Sequence, residues 1–121
     1  MVGRYVPGTV VLATISFDEQ EEAKRRPVVL VGEPAYWGQD KSALVCPMSS
    51  VGPRSGDVVI DWRAAGLVRP SFVRPRPRVI AKSRVHWEVG ALKAADLAAL
   101  LGALRTTLGL AAGECPSQTV A

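Results

Sequence analysis

Apolar residues come in short bursts along the first three quarters of the chain, and then the period changes. VPGTVVLATISF, Val6 to Phe17, opens on Pro-Gly and continues as a β-rich run. DEQEEAKRR is polar and charged and predicts a loop. PVVLVGE is apolar at consecutive positions, the pattern of a central strand buried on both faces. Pro27 stands at its first residue, where a missing N–H does least harm. PAYWGQDKS predicts a second loop, and SALVCPMSS a third strand that ends near Pro47. VGPRSG is turn-rich, DVVIDW is a short strand and RAAGLVRPS is irregular. SFVRPRPRVIAKS predicts one or two short strands, broken by Pro75 and Pro77 at an edge or bulge.

Beyond Ala91, Leu97, Leu100, Leu101, Leu104 and Leu108 recur at three- and four-residue steps. That stripe predicts an amphipathic helix within Ala91 to Leu110. Gly109 stands where a C-capping glycine belongs. Lys93 occupies the place where Ser or Asp would cap the start. The last residues, AAGECPSQTVA, predict a frayed tail. Five or six short strands and one closing helix make a mainly β fold, a small barrel or strongly coiled sheet with the helix over an open end or edge. The expected organisation is one domain over residues 1–110 and a flexible tail over 111–121.

The 121 residues suffice for one domain with its own core. Hydrophobic residues make up 48% and charged residues 21%, which is ordinary for a globular chain. No apolar run is long enough to span a membrane, and MVGRYVPGTV lacks a signal-peptide core, so a cytoplasmic location is expected. Cys46 and Cys115 belong to no CxxC pair and His86 is the only histidine, which leaves no Cys/His zinc site. No metal or other cofactor is expected. Cys46 reads as a buried, inert thiol. His86, beside Trp87, reads as structural, and Trp62 and Trp87 are assigned to the core or a dimer contact.

Charge changes the picture more. The formal net charge is +4, and eleven of the 15 basic residues are arginines. The arginine fork fits phosphate and stacks on bases, which hints at nucleic acid. Lys24, Arg25 and Arg26 run directly into Pro27 and a buried strand. Desolvating them is costly, so they stay wet or meet anions.

Five pieces of the chain now fall into a recognisable order: GTVVLATISF, KRRPVVLV, CPMSS, DWRAAGLVRPSFVR, and VGALKAADL before the final helix. Together they resemble the MazF/PemK family of bacterial toxins from about Pro7 to Leu110. The resemblance implies an SH3-like β-barrel covered by a C-terminal helix, working as a homodimer. It further implies a metal-independent endoribonuclease that cuts single-stranded RNA at short sequences and is held in check by a cognate antitoxin. The family's RP arginine falls on Arg26, and its active-site hydroxyl, more often Thr, falls on Ser49.

In metal-free RNA cleavage the substrate's 2′-hydroxyl attacks the adjacent phosphorus, and charge accumulates on the phosphoryl oxygens. A fixed cation with oriented donors stabilises that charge. Arg26 fits this role and stays protonated. Ser49 supplies a hydroxyl donor. Glu21 and Glu22, five and four residues before Arg26, are the candidate proton acceptors. Candidate RNA contacts are Phe17, Lys24, Arg25, Ser50, Arg54, Arg69 and Ser71, with Phe17 placed to stack a splayed base. Tyr36 and Trp37 present the same choice between stacking and core. Arg69, Arg74, Arg76 and Arg78 form a second basic set around SFVRPRPR. The loop DEQEEA carries four carboxylates, which repel phosphate and favour an alternative, a catalytically inactive barrel that binds RNA without scission. Another alternative is a toxin of the same fold that binds a topoisomerase; it would lack the RP arginine and the strand-three hydroxyl, and both are present here.

Overall fold

β1 (Thr9–Ile15) and β2 (Lys24–Leu30) pair antiparallel, with Val10 opposite Val29 and Ala13 opposite Arg26. Their valines alternate into two separate apolar clusters. Val10 and Val29 join one with Cys46, Met48 and Val73, while Val11 and Val28 join another with Ala43, Val45 and Ile80. This is why the sequence shows unbroken apolar runs here and not an alternation. The computed structural model describes residues 6–16, 22–32 and 42–110.

β3 (Ser42–Ser49) continues the sheet beside β2, with Val28 opposite Pro47. The strand was expected to end near Pro47, but it runs two residues further. Along its other edge β3 first meets β6 (Arg78–Ala81) at residues 42–45, and then β5 (Phe72–Val73) at Met48 and Ser49. Pro47 sits at the gap between the two partners. Its carbonyl accepts the Arg74 N–H at 2.9 Å on that side, so its missing N–H breaks no ladder. The split of SFVRPRPRVIAKS into β5 and β6 around Pro75 and Pro77 is as the prolines predict.

β4 (Val58–Val59) pairs with β5 at one end of the sheet, and β7 (Val85–Ala91) pairs with β1 at the other. The strand order is β4-β5-β3-β2-β1-β7, with β6 also on β3. Among the described residues no pairing joins β7 to β4, so this is an open, coiled sheet of seven strands rather than a closed barrel. A 3₁₀ turn, Lys82–Arg84, leads into β7.

The helix α1 (Ala94–Thr107) packs against β4 and buries Leu100 and Leu104 in the cluster of Val10 and Val29. Lys93 is its N-cap residue, and its side chain makes no capping bond to the helix. At the far end Gly109 adopts φ 78°; its N–H reaches the Thr106 carbonyl at 3.1 Å, and the Leu110 N–H reaches that of Arg105 at 2.7 Å. This is a Schellman cap, and it needs the glycine. No described helix is long and apolar enough to cross a membrane.

DWRAAG is tied down at both ends. Asp61 donates its N–H to the Asp96 carboxylate on α1 at 2.8 Å and accepts the Ala64 N–H at 3.1 Å. The Ala64 N–H and the neighbouring Lys93 ammonium hold the Asp61 carboxyl below the usual range. At the other end the backbone presses on β7. A Cβ on Gly90 would sit 2.2 Å from the Ala65 carbonyl oxygen, and one on Gly66, at φ 89°, 2.6 Å from that of Val89. The segment that carries the resemblance most distinctively is thus held by a glycine-to-glycine crossing. Gly90→Ala should destabilise the fold by about 1–3 kcal/mol through overpacking. A lower urea midpoint with unchanged m checks this, and an unchanged midpoint would show that the segment can move aside.

Candidate functional site

The β2–β3 ladder ends with Val28 opposite Pro47. Beyond that last pair the two strands lead on to Arg26 and Ser49. Both line a cleft of about 670 Å³. Its wall also includes Arg25, Arg54, Arg69 and Arg74, and Ser50 and Ser71. Leu12, Pro27 and Met48 give it an apolar stretch, and Val51 and Val68, 70% and 88% exposed, stand at its rim. Among the described residues five arginines and no carboxylate face the space. A cleft lined by one sign of charge with apolar walls focuses its field and gathers anions.

Of the residues predicted from sequence, Arg25, Arg26, Ser49, Ser50, Arg54, Arg69 and Ser71 converge on this cleft. Lys24 and Glu22 are exposed at the entrance to β2 and are not among its lining residues. Glu21, Phe17, Tyr36 and Trp37 lie outside the described residues. Arg76 and Arg78 face a different cleft. Cys46 is buried, which pushes its thiol up to about 12, and it is inert as expected. His86 lies on β7 with Nε2 at 2.6 Å from the Thr14 hydroxyl, away from the cleft. Trp62 is packed against the core, but Trp87 is 52% exposed and does not belong to it; the Arg25 guanidinium lies 5.6 Å from its ring. Among the described residues no group of three His, Cys, Asp or Glu is arranged to hold a metal ion.

Ser49 is buried and its hydroxyl is engaged. It donates to the Val51 carbonyl at 3.1 Å and accepts the Val51 N–H at 3.0 Å. That carbonyl has a second donor, Arg74 Nη2, at 3.3 Å. The Ser49 proton can therefore turn toward a ligand without leaving Val51 unsatisfied. Arg74 in turn lies 3.5 Å from the Asp57 carboxylate, which also accepts the Arg54 N–H at 2.9 Å. One chain of contacts thus fixes the turn from Ser50 to Gly56. Sequence reasoning missed Asp57, and took Arg74 only as part of a loose basic set. Ser71, also buried, closes its own turn by donating to the Arg69 carbonyl at 3.0 Å.

A family model describing the PemK-like, MazF-like toxins of type II toxin–antitoxin systems matches residues 7–108. The chain belongs to that family. Its fold is also that of solved MazF structures. A MazE–MazF structure from Deinococcus radiodurans superposes with TM-score 0.72 at 22% identity, covering 88% of this chain and 96% of that one. The Mycobacterium tuberculosis toxin MazF-mt6 gives 0.67 at 22% identity, with 84% and 98% covered. An endoribonuclease in complex with its cognate antitoxin, from a mycobacterial species, gives 0.68 at 15% identity, with 88% and 94% covered. No curated protein matches in sequence.

The Asp57 contacts generate a prediction. The carboxylate is 4% exposed and accepts the Arg54 N–H of an otherwise exposed turn, so Asp57→Ala leaves Arg74 and that N–H without it. Stability should fall by about 1–3 kcal/mol. Limited proteolysis should cut first between Ser50 and Gly56. Cleavage elsewhere first, at unchanged stability, would show that Asp57 does not hold this turn.

Proposed function

We propose that this toxin is an endoribonuclease that cuts single-stranded RNA in the cytoplasm without a metal ion, as a homodimer restrained by a cognate antitoxin. The observation that carries the reading is the cleft that Arg26 and Ser49 line together, with four further arginines and, among the described residues, no carboxylate. Membership of the toxin family supports it, and so do structural neighbours described as an endoribonuclease with its antitoxin and as a MazE–MazF pair.

The scissile phosphate enters against Arg26. The substrate's 2′-oxygen attacks phosphorus as the bond to the 5′-oxygen breaks. Arg26 faces the phosphoryl oxygens and stabilises the charge that grows on them. Ser49 rotates its proton from the Val51 carbonyl to the same oxygens, while Arg74 keeps the carbonyl satisfied. The guanidinium enters the reaction protonated and does not act as base; it gives a proton to the leaving 5′-oxygen and regains one from solvent. Proton acceptance from the 2′-hydroxyl is assigned to Glu21 or Glu22, which stand just before β2 in the sequence. The products are a 2′,3′-cyclic phosphate, opened to a 3′-phosphate, and a 5′-hydroxyl. Arg25, Arg54, Arg69, Ser50 and Ser71 position the chain around that phosphate; Lys24 and Phe17 are assigned as further RNA contacts from the sequence.

The test is cleavage of a long, defined single-stranded RNA in EDTA, with product ends read by mass spectrometry. Wild type should cut at a few discrete sites and leave 5′-hydroxyl ends. Arg26→Ala and Ser49→Ala should each slow cleavage by about 10²–10³-fold. Glu21→Gln combined with Glu22→Gln should lose the acid limb of the pH–rate profile. Folded wild-type protein that binds such RNA without cutting it would contradict the nuclease reading and leave a binding protein.

A further inference from the structure

The first cleft leaves Arg76 unexplained. This residue is exposed on the opposite side of Arg54 and Arg74, in a second cleft of about 780 Å³. Arg54, Arg74, Arg76 and Arg78 line that space, with Pro75 and Pro77 between them. Among the described residues Asp57 is the only carboxylate on its wall, and it is 4% exposed and turned to Arg74 and the Arg54 N–H. Arg54 and Arg74 line both clefts, so the two spaces meet across that pair.

We propose that the second cleft binds the sugar–phosphate backbone of single-stranded RNA beyond the reacting phosphate, with Arg76 as its principal contact. This rests on the RNA reading of the first cleft and extends it. The segment is built to hold its shape. The Arg74 N–H is bonded to the Pro47 carbonyl at 2.9 Å, the Arg76 N–H to the Arg74 carbonyl at 2.7 Å, and the Arg78 guanidinium to the Ser16 carbonyl. The two prolines fix their own backbone angles and offer no N–H. The bond from Arg76 to Arg74 closes a tight turn at Pro75. The Arg74 and Arg78 guanidiniums are engaged at Asp57 and the Ser16 carbonyl, and Arg76 is the exposed cation among them. A polyanion matches a cleft whose described wall carries four arginines. A protein segment would look for apolar anchors as well, and this wall offers none larger than proline. Contacts of this kind carry no sequence information, so Arg76 should govern affinity for long RNA and leave the choice of site alone.

Oligouridylates of graded length serve as the probe, with binding to the full chain followed by fluorescence anisotropy over a salt series. Wild type should bind longer oligomers more tightly and with a steeper salt slope. Arg76→Ala should lower that slope by about 0.7 on the long oligomers, the loss of one phosphate contact. It should leave the shortest oligomer unaffected and the positions of cleavage in a long RNA unchanged. The exposed side chain is truncated without loss of fold, which the thermal midpoint verifies. Equal slopes for the two proteins on long oligomers would overturn the proposal, as would an equal loss on the shortest one. Loss of polyglutamate binding with RNA slopes unchanged would overturn it too, and would give the cleft to an acidic protein. In each of these cases wild type still cuts RNA and the first cleft keeps its role; wild type that neither binds nor cuts RNA would remove both readings.

Discussion

Pairing between β2 and β3 is the constraint on which the rest depends. Val28 is opposite Pro47 and Val29 opposite Cys46, and these side chains are fully or almost fully buried. A slip of one residue would turn each of them to the wrong face, so the register is firmly set by burial. Just beyond the ladder Arg26 and Ser49 both reach the same cleft. A charge that a buried strand cannot accept is thereby delivered to the edge of the core, where apolar walls strengthen its field and water or an anion can still reach it.

The hydroxyl and the guanidinium are held by different means. Arg26 is placed by the strand behind it. Ser49 is placed by a relay that runs through Val51 and Arg74 to Asp57. That relay also shapes the turn from Ser50 to Gly56, and it binds the two arginine-lined clefts into one surface. Arg74 has a place in both: it joins the turn to Asp57 and gives the Val51 carbonyl a second donor beside the Ser49 hydroxyl.

Much of this was legible in the chain. Consecutive valines marked β1 and β2 as buried on both faces, and the leucine stripe with Gly109 marked α1 and its cap. Pro75 and Pro77 marked the break between β5 and β6. β7 was missed because VHWEVGA is largely exposed, with no buried residue and two register shifts against β1, and so has no apolar beat. The end of β3 was misplaced because Pro47 lies where one neighbouring strand gives way to another, a tertiary circumstance no local rule contains. Closure into a barrel was expected from the resemblance, and the described strands remain open. Of the site, Arg26, Ser49 and the neighbouring cations followed from the KRRP and CPMSS motifs. Asp57 did not, since a carboxylate 17 residues from its arginine in sequence carries no motif. The open half of Trp87 was hidden for the same reason as β7.

The account stands most directly on the claim that Arg26 and Ser49 act on one phosphate. A double-mutant cycle in single-turnover cleavage measures this, with Arg26→Lys and Ser49→Ala made singly and together. If both groups serve the same phosphoryl oxygens, the double variant should be little slower than the worse single one. If the two losses multiply, the groups act independently, and the shared site described here is wrong.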